Sequence, residues 1–581
     1  MKMFRWNPDK LFRRREGGPE LLDRAIYCEP MSLRRRGLLA AGVALAAAGA
    51  TSKSARASYN PNTAGLPQNI LNFGADPTGS TDSTTALQTA AATGQDVILP
   101  AGSFTISGQV NCTTKGQRFI GSGRNKTFVN ILGPSASFVA GIFNVTSGEV
   151  GPQFSEMCVN LTQPDTSVRA NLNSYPPVFF LNATARCQFE NVRIVGGLDG
   201  IYMNGNCGGF RAYGCDFGNF SRNVYIDGNL DVTMFTDCQV WPFSATGIMT
   251  TNQQSIFNDA NTYGVYSLRN DYFWWTGGLF LCGRNAVFGT GATGTSYGGF
   301  VNVGFDTYGG LEVSAGNILT DNCVYSVFGG VPNNKNAVLH TGGVVTVRGA
   351  KFFVGPNQAL NSALVYSNVP SGDAALIVTD CHFETDAIDN RAIFVVPGSS
   401  TNLSVVIANN KFDRVGSGTY SQAILEIGGG SGTISGNTCA PNSSATGGGA
   451  TFLTFDTGVG PYNTSGNMPY NWITTVVGST VASAGFLSIP AILGQAMPVV
   501  LVTGTATIGS MGYAGIGVVS AYQGSIVTLS FGGASPVLSG TFGSAGNFIL
   551  NGRGTFTPAA GSTLTVQLMS NGNWQEIGRC A

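Results

Sequence analysis

The side chains best suited to acid–base chemistry are concentrated in the middle of this 581-residue chain. Five aspartates and three arginines between residues 193 and 237 form the densest charged stretch of its repetitive region. Carboxylates with arginine nearby can take up or deliver a proton and can hold an anionic group. We therefore predict a catalytic groove in this stretch, formed by Asp216, Asp227, Asp237 and Arg211.

A second candidate site is a column of charged side chains nearer the C-terminus. Lys351, His382 and Lys411 occupy the same place in three copies of a repeated four-residue phrase, and Glu384 and Asp413 follow two residues later. Histidine or lysine beside carboxylates can remove a proton from carbon or support acid–base hydrolysis. The alternative interpretation is a ladder of surface salt bridges, which surface charges on a β-helix often form, and both interpretations stay open.

Other kinds of catalytic or metal site find little support. His340 and His382 are the only histidines, which leaves almost no material for a Ser-His-Asp or Cys-His arrangement. Neither a Cys-x-x-Cys pair nor a His-Glu-x-x-His motif occurs, so no motif requires a metal or another cofactor. Calcium could still bind where carboxylates converge.

A repeat of slightly more than twenty residues organises these side chains. Tyr202 and Tyr225 lie 23 residues apart in similar segments, and Cys215 and Cys238 have the same offset. The repeated phrase is a turn residue, a small or amide residue, a variable residue and an apolar one, as in Asp380 to Phe383. Short strands at such a period indicate a parallel β-helix, in which each coil stacks on the next.

The second residue of the phrase should point inward at a turn of the solenoid. Stacked copies then form a ladder down the interior, made of free cysteines and asparagines. We expect this ladder to contain Cys215, Cys238, Cys381, Asn410 and Asn437. The variable third residue should face outward, because side chains alternate along a strand.

The entrance to the repeats carries a family resemblance. Its motifs are Phe73-Gly74-Ala75-Asp76-Pro77-Thr78-Gly79, a short amphipathic helix ending near Ala92, and Phe119-Ile120-Gly121-Ser122-Gly123. Over residues 69–130 the chain resembles the pectate-lyase superfamily, specifically its rhamnogalacturonase- and epimerase-like branch. The resemblance implies an all-β, right-handed parallel β-helix with a short N-terminal capping helix, and carbohydrate as the partner class.

The resemblance leads us to expect a polysaccharide lyase or glycoside hydrolase that acts on an acidic, uronate-containing polysaccharide. The signature motifs of polygalacturonase-type hydrolases are missing, so a non-catalytic glycan-binding or surface protein is the alternative. A tail-spike is a third hypothesis, which the export signal described below disfavours. Aromatic rings bind sugars by stacking and arginine can bind a uronate group, so we expect the substrate to contact Trp241, Tyr272, Trp274 and Arg222.

Composition excludes several classes of protein. Glycine contributes 81 residues and charged residues only 11%, as in a turn-rich β-structure. Residues 58–581 contain 19 basic and 26 acidic side chains, a net charge of −7. This balance argues against nucleic-acid binding, which needs clustered lysine and arginine.

The first 57 residues have the organisation of an export signal. Arg34-Arg35-Arg36 precedes the apolar run 37–50, which is too short to span a bilayer and ends before Ala55-Arg56-Ala57, a small-x-small cleavage site. Consecutive arginines before a weakly hydrophobic segment resemble a twin-arginine signal and predict a secreted or periplasmic protein. Met31 stands directly before the motif, so residues 1–30 could be an upstream extension of the reading frame.

Four segments follow from these patterns. Residues 1–57 are the signal, residues 58–110 the N-terminal cap, and residues 111–465 the parallel β-helix. Residues 466–581 contain strand-like runs separated by glycine and serine, and we expect them to form an antiparallel β-module. That module could cap the solenoid, bind glycan or join copies of the chain into a homo-oligomer.

Replacement of Arg35 and Arg36 by lysine should leave the precursor in the cytoplasm, because the twin-arginine route reads the arginine pair. Immunoblotting of cell fractions measures the outcome. The matched control is Arg56→Lys, which alters an arginine outside the motif. Normal export of the double variant would contradict the twin-arginine interpretation.

Overall fold

The structure is a computed structural model of the chain. The structure describes residues 65–243, 249–292, 294–307, 309–327, 336–354, 363–385, 391–396, 402–414, 424–439, 453–455, 462–465, 467, 481–482, 486–489, 492–493, 499–503, 505–513, 526–531, 537–539, 547–551, 555–559, 562–569 and 571–580. The expected export signal lies outside these residues.

Three long parallel sheets, here called A, B and C, build the main body. Each coil contributes one strand to each sheet in the order A, B, C, and each strand pairs in parallel with its counterparts in the adjacent coils. The repeats therefore form the right-handed parallel β-helix that the sequence predicts.

Within the described residues, sheet A has 16 strands and sheets B and C have 13 each. The strands of sheet A are Gln68–Asn69, Val97–Ile98, Arg118–Ile120, Gln153–Ser155, Gln188–Glu190, Phe210–Tyr213, Asn229–Thr236, Asn270–Thr276, Tyr297–Val301, Asn317–Asp321, Gly343–Arg348, Ala374–Thr379, Leu403–Ala408, Ser431–Ser435, Tyr462–Ser465 and Ile492–Leu493. The strands of sheet B are Gly102–Thr105, Thr127–Ile131, Cys158–Leu161, Arg193–Val195, Asp216–Gly218, Gln239–Val240, Leu279–Phe280, Gly304–Thr307, Val324–Val327, Lys351–Val354, His382–Thr385, Lys411–Arg414 and Thr438–Cys439. The strands of sheet C are Val110–Cys112, Phe143–Val145, Phe179–Asn182, Asp199–Asn204, Arg222–Asp227, Tyr263–Ser267, Arg284–Phe288, Leu311–Val313, Val338–His340, Ala363–Ser367, Arg391–Val395, Leu425–Ile427 and Leu453–Phe455.

The repeated phrase forms the corner between sheets A and B. Its first residue adopts a left-handed backbone, with φ of 52° at Asp237, 58° at Asp380 and 57° at Asn409, and with glycine at Gly214 and Gly436. Glycine, asparagine and aspartate tolerate this conformation best, which explains why those types recur there. The chain therefore turns at the same point in each coil and starts the sheet B strand in register.

The second residue of the phrase points into the core, as predicted. Cys215, Cys238 and Cys381 are buried and unbridged, and each thiol contacts the carbonyl oxygen two residues earlier. Lower in the ladder, Asn410 Nδ2 donates to Asn437 Oδ1 at 2.9 Å. Burial raises the pKa of the Cys238 thiol well above its usual range, so this cysteine stays protonated and inert.

Aromatic rings stack along the interior beneath sheet B. Centroid separations are 4.8 Å for Tyr325 and Phe352, 4.4 Å for Phe352 and Phe383, and 4.9 Å for Phe383 and Phe412. These rings are the apolar fourth residues of the phrase, and all are buried. Because successive side chains of a strand point to opposite faces, the third residue of the phrase points outward when the fourth points inward.

The first coil is covered by the predicted helix. This helix, α1, spans Thr84–Ala92 after the N-cap residue Ser83 and buries Leu87 against the solenoid. Gln88 accepts a hydrogen bond from the backbone of Asn111, at the start of sheet C. A second helix, α2, spans Thr251–Phe257 in an insertion between sheets B and C. Two 3₁₀ turns lie at Ile70–Phe73 and Arg169–Asn171.

The C-terminal region forms a separate β-module with its own core around the buried Trp574. Its largest sheet is mixed rather than antiparallel throughout, in the order Val481–Ala482, Val499–Thr503, Ile526–Phe531, Thr563–Leu568, Trp574–Cys580 and Phe548–Ile549. Two small pairs join Phe486–Ile489 to Ser510–Tyr513 and Leu538–Ser539 to Thr555–Phe556. The strand Ile492–Leu493 extends sheet A beyond residue 465, the boundary expected from the sequence.

Replacement of Asn437 by alanine should lower the free energy of unfolding by about 1–3 kcal/mol, because it leaves buried partners unsatisfied. Asn437 Oδ1 accepts from the backbone and side chain of Asn410, and Nδ2 donates to Ile407 and Asn467. Denaturant unfolding measures the loss. Asn463→Ala, on the exposed face of sheet A, is the matched control and should be nearly neutral.

Stability should fall below about pH 6.5, the ordinary pKa of histidine, because His340 is buried as a neutral ring. Its nitrogens contact Ser367 Oγ at 3.0 Å and the Gly343 carbonyl at 3.1 Å, and burial lowers its pKa. The unfolded chain therefore binds a proton at higher pH than the folded chain does. The thermal midpoint should drop less steeply with acid in His340→Gln, and an unchanged slope would contradict this assignment.

Candidate functional site

The structure assembles the second candidate site as a bonded group on the outer face of sheet B. We call it the histidine cluster; it consists of Lys351, His382, Glu384, Lys411 and Asp413. His382 Nε2 lies 2.7 Å from Asp413 Oδ2, Lys411 Nζ lies 2.5 Å from the same oxygen, and Lys351 Nζ lies 2.7 Å from Glu384 Oε2. These contacts join three successive coils.

Strand register places these side chains together. Lys351 pairs with His382 and His382 with Lys411, while Glu384 pairs with Asp413 in the next outward column. The predicted placement of both columns is therefore confirmed. Because adjacent parallel strands lie about 4.8 Å apart, the ring of His382 stands between the two lysines.

Asp413 fixes the protonation pattern of the cluster. Burial alone would raise the pKa of Asp413, but hydrogen bonds from Lys411 and His382 outweigh it and hold the pKa below its ordinary value. An ionised carboxylate only accepts, so His382 donates through Nε2–H and its Nδ1 carries the free lone pair in the neutral ring. The other carboxylate oxygen, Asp413 Oδ1, is buried without a hydrogen-bond partner.

The cluster combines a base with accessible cations. The side chain of His382 is 33% exposed, and those of Lys351 and Lys411 are 49% and 57% exposed. Each lysine contacts one carboxylate and has three donors, so it retains the capacity to bind a second anion. The arrangement can bind a carboxylate between the lysines and take a proton from the group beside it.

The four residues of the predicted central groove lie on different faces. Asp216 is on sheet B, Asp227 on sheet C, Arg211 on sheet A, and Asp237 on the corner between sheets A and B. No hydrogen bond or ion pair joins any two of these four described residues. Arg211, Asp216 and Asp227 belong to one coil and Asp237 to the next, but the path of the chain around the axis separates their side chains.

Asp216 lies in a buried ion-pair network. It is buried, with its carboxylate 3.0 Å from Arg124 and 3.1 Å from Arg193. Arg193 lies over the Phe243 ring at 5.1 Å. Two guanidinium groups thus neutralise this carboxylate beneath an apolar cover.

The predicted sugar-contacting residues also lie on different sheets. Trp241 packs with Phe243 on a small cluster outside sheet B, and its indole nitrogen is buried. Tyr272 and Trp274 both face outward on sheet A, where Tyr272 is 51% exposed. Arg222 lies on sheet C and is paired with Asp199.

Sequence reasoning missed two sets of outward aromatic residues. Tyr297 stands next to Tyr272 on sheet A and is equally exposed. On sheet C, Tyr202, Tyr225 and Tyr266 occupy one outward column. The 23-residue offset of the first two already signalled this column, because strand alternation turns every second residue outward.

Within the described part of the chain, no group of three histidine, cysteine, aspartate or glutamate side chains is arranged to hold a metal ion. Nor does any helix there have the length and apolar character needed to cross a bilayer.

Comparisons with known proteins agree with the fold. Residues 68–172 match the family model described as rhamnogalacturonase A/epimerase, pectate lyase-like, which confirms the resemblance found at the entrance to the repeats. Curated protein sequences give no match.

Three solved structures illustrate the structural similarity. The catalytic unit of a GH87 alpha-1,3-glucanase from Streptomyces thermodiastaticus has 14% identity, a TM-score of 0.41, and 70% of each chain covered. The tailspike protein of E. coli bacteriophage HK620, in complex with a pentasaccharide, has 13% identity, a TM-score of 0.43, and covers 69% of this chain and 78% of its own. The A-module of a mannuronan C-5 epimerase from Azotobacter vinelandii has 14% identity, a TM-score of 0.30, and covers 74% and 99%.

Proposed function

We propose that this protein is a polysaccharide lyase that cleaves a uronate-containing polysaccharide at the histidine cluster. The observation that carries the proposal is the contact of His382 with an ionised Asp413, between two exposed lysines. The match of residues 68–172 to a pectate lyase-like family model supports the substrate class.

The chemistry is a β-elimination that needs no external oxidant or reductant. His382 Nδ1 takes the proton from the carbon that bears the uronate carboxylate, and the electron pair of that C–H bond forms a carbon–carbon double bond. The bond to the glycosidic oxygen on the next carbon breaks, and that oxygen takes a proton from a lysine ammonium of the cluster.

Each group of the cluster has a defined task. Lys351 and Lys411 bind the uronate carboxylate, and their positive charge stabilises the negative charge that develops when the proton leaves. Asp413 orients the imidazole through Nε2–H and stabilises the imidazolium that forms. Glu384 positions Lys351 through their 2.7 Å contact.

His382→Gln should lower turnover of a uronate polysaccharide by about 10²-fold or more, the typical contribution of an acid–base group. Formation of the unsaturated product is followed by ultraviolet absorbance of the new double bond conjugated to the carboxylate. Thr438→Gln is the matched control, because Thr438 is exposed in the same outward column and lies outside the cluster.

Two outcomes would contradict the lyase proposal. Full activity of His382→Gln, with wild-type thermal stability, would remove His382 from the reaction. Release of reducing ends without the double bond would identify a hydrolase instead.

The second candidate function is non-catalytic glycan binding on sheet A. Tyr272 and Tyr297 are adjacent and each 51% exposed, and Trp274 lies outward two residues from Tyr272. Such rings can stack on the apolar faces of sugars without cleaving them. This function predicts retention on a polysaccharide gel that Tyr272→Ala abolishes, with neither product formed.

Location and assembly are part of the same proposal. The arginine-rich N-terminal segment would direct the folded chain out of the cytoplasm, where polysaccharides are accessible. The C-terminal β-module, with its separate core, would cap the solenoid or join copies of the chain.

A further inference from the structure

The outer face of sheet C carries a ladder of aromatic rings across four successive coils. We call this surface the tyrosine face; its rings are Phe180, Tyr202, Tyr225 and Tyr266, with Tyr263 beside the last. The first four pair strand to strand in one outward column, and all five are partly exposed. The ladder lies on a different sheet from the histidine cluster.

The rings support one another. Tyr202 and Tyr225 stack with centroids 4.4 Å apart, Phe180 meets Tyr202 edge to face at 5.3 Å, and Tyr263 meets Tyr266 at 5.1 Å. The surface is therefore a rigid, amphipathic strip, with phenol groups available along an apolar body. Little side-chain entropy remains to be lost when a ligand binds to such a strip.

Its charged groups are paired with one another. Arg222 Nε donates to Asp199 Oδ1 at 2.8 Å, and its guanidinium lies 4.0 Å above the Tyr225 ring. Arg284 Nε donates to Glu312 Oε1 at 2.7 Å and lies over Tyr263. Within each pair the two charges neutralise each other. Asp227 is the remaining charged group of the strip.

The polar groups at the edge of the strip suit hydroxyl partners. Asn204 Nδ2 donates to Asn182 Oδ1 at 3.1 Å, and both amides lie beside the ladder on the same strands. Partial burial raises the pKa of Tyr225 to about 12, with the nearby Tyr202 and Asp227 adding to the effect, so its phenol stays neutral and can donate. Uncharged donors and acceptors thus line the aromatic column.

Two insertions meet at the corner where the strands of sheet C begin. Arg169 donates from Nε to Asp259 at 2.9 Å and also contacts Ile256 O and Thr262 Oγ1, which joins the segment after Leu161 to the insertion that contains α2. At the opposite corner a short hairpin, Thr290–Gly291 paired with Gly294–Thr295, follows the strand that carries Arg284. Inserted segments of the chain therefore lie at both ends of the sheet C strands, on either side of the ladder.

We propose that the tyrosine face binds a neutral polysaccharide chain that runs across the coils, at a site separate from the histidine cluster. The paired charges and the residual negative charge of Asp227 disfavour a polyanion. The continuous aromatic strip offers apolar area to successive pyranose rings, and the tyrosine and asparagine groups bond their hydroxyls.

The test is affinity electrophoresis of the protein in gels that contain a soluble neutral polysaccharide: dextran, xylan or galactomannan. Wild-type protein should be retarded in at least one gel. Retardation should persist at high salt, because binding does not depend on attraction between charged groups. Tyr225→Ala should weaken binding by tenfold or more. Tyr366→Ala is the matched control. Tyr366 lies in the same outward column of sheet C, four coils after Tyr266, and is therefore outside the ladder.

Tyr225→Phe keeps the ring and removes only the hydroxyl, so it preserves the stack if the alanine variant unfolds, and it should weaken binding several-fold. Retardation by polygalacturonate or alginate alone, or unchanged binding in both Tyr225 variants, would overturn the proposal. If the wild type self-associates on sedimentation, Tyr225→Ala does not, and neither binds a glycan, the occupant is a second copy of the chain and the proposal is overturned.

The outcome is independent of the lyase proposal. His382→Gln should bind the neutral polysaccharide as wild type does, whether or not it cleaves uronate polymers. Binding that vanishes in His382→Gln would place the glycan at the histidine cluster and would also overturn the proposal.

Discussion

The hydrogen-bond register between neighbouring coils is the constraint on which each surface feature of this protein depends. Parallel strands pair residue by residue, so equivalent positions of successive coils stand about 4.8 Å apart. This spacing places His382 between Lys351 and Lys411, and it stacks Tyr202 on Tyr225. A slip of one residue would turn each of these side chains into the core.

The corner between sheets A and B maintains that register. A left-handed residue such as Asp380 turns the chain, and the next residue, Cys381, fills the space beneath it. Near the end of the solenoid, Asn410 and Asn437 replace cysteine and add hydrogen bonds between coils. The same corner therefore combines backbone geometry, packing and polar satisfaction, which explains its recurrence along the chain.

The two surface sites differ in how their charges are arranged. On the tyrosine face, guanidinium and carboxylate groups pair side by side and leave little net charge, as Arg222 does with Asp199. In the histidine cluster, one carboxylate, Asp413, receives both Lys411 and His382, so a base and cations are held together at partly exposed positions. The first arrangement suits recognition by shape and hydroxyl groups, whereas the second suits an anion and proton transfer.

Periodicity in the sequence determined the solenoid, the inward cysteines and the outward column of His382, because a period-two strand and a fixed turn leave one arrangement for each phrase. It also determined α1 and its end at Ala92. Sequence proximity misplaced the central groove, since Asp216, Asp227 and Arg211 project from three different sheets. Only the tertiary structure decided which side chains touch, because the direction of a side chain around the solenoid axis depends on the position of each corner, and insertions between strands change the spacing from coil to coil.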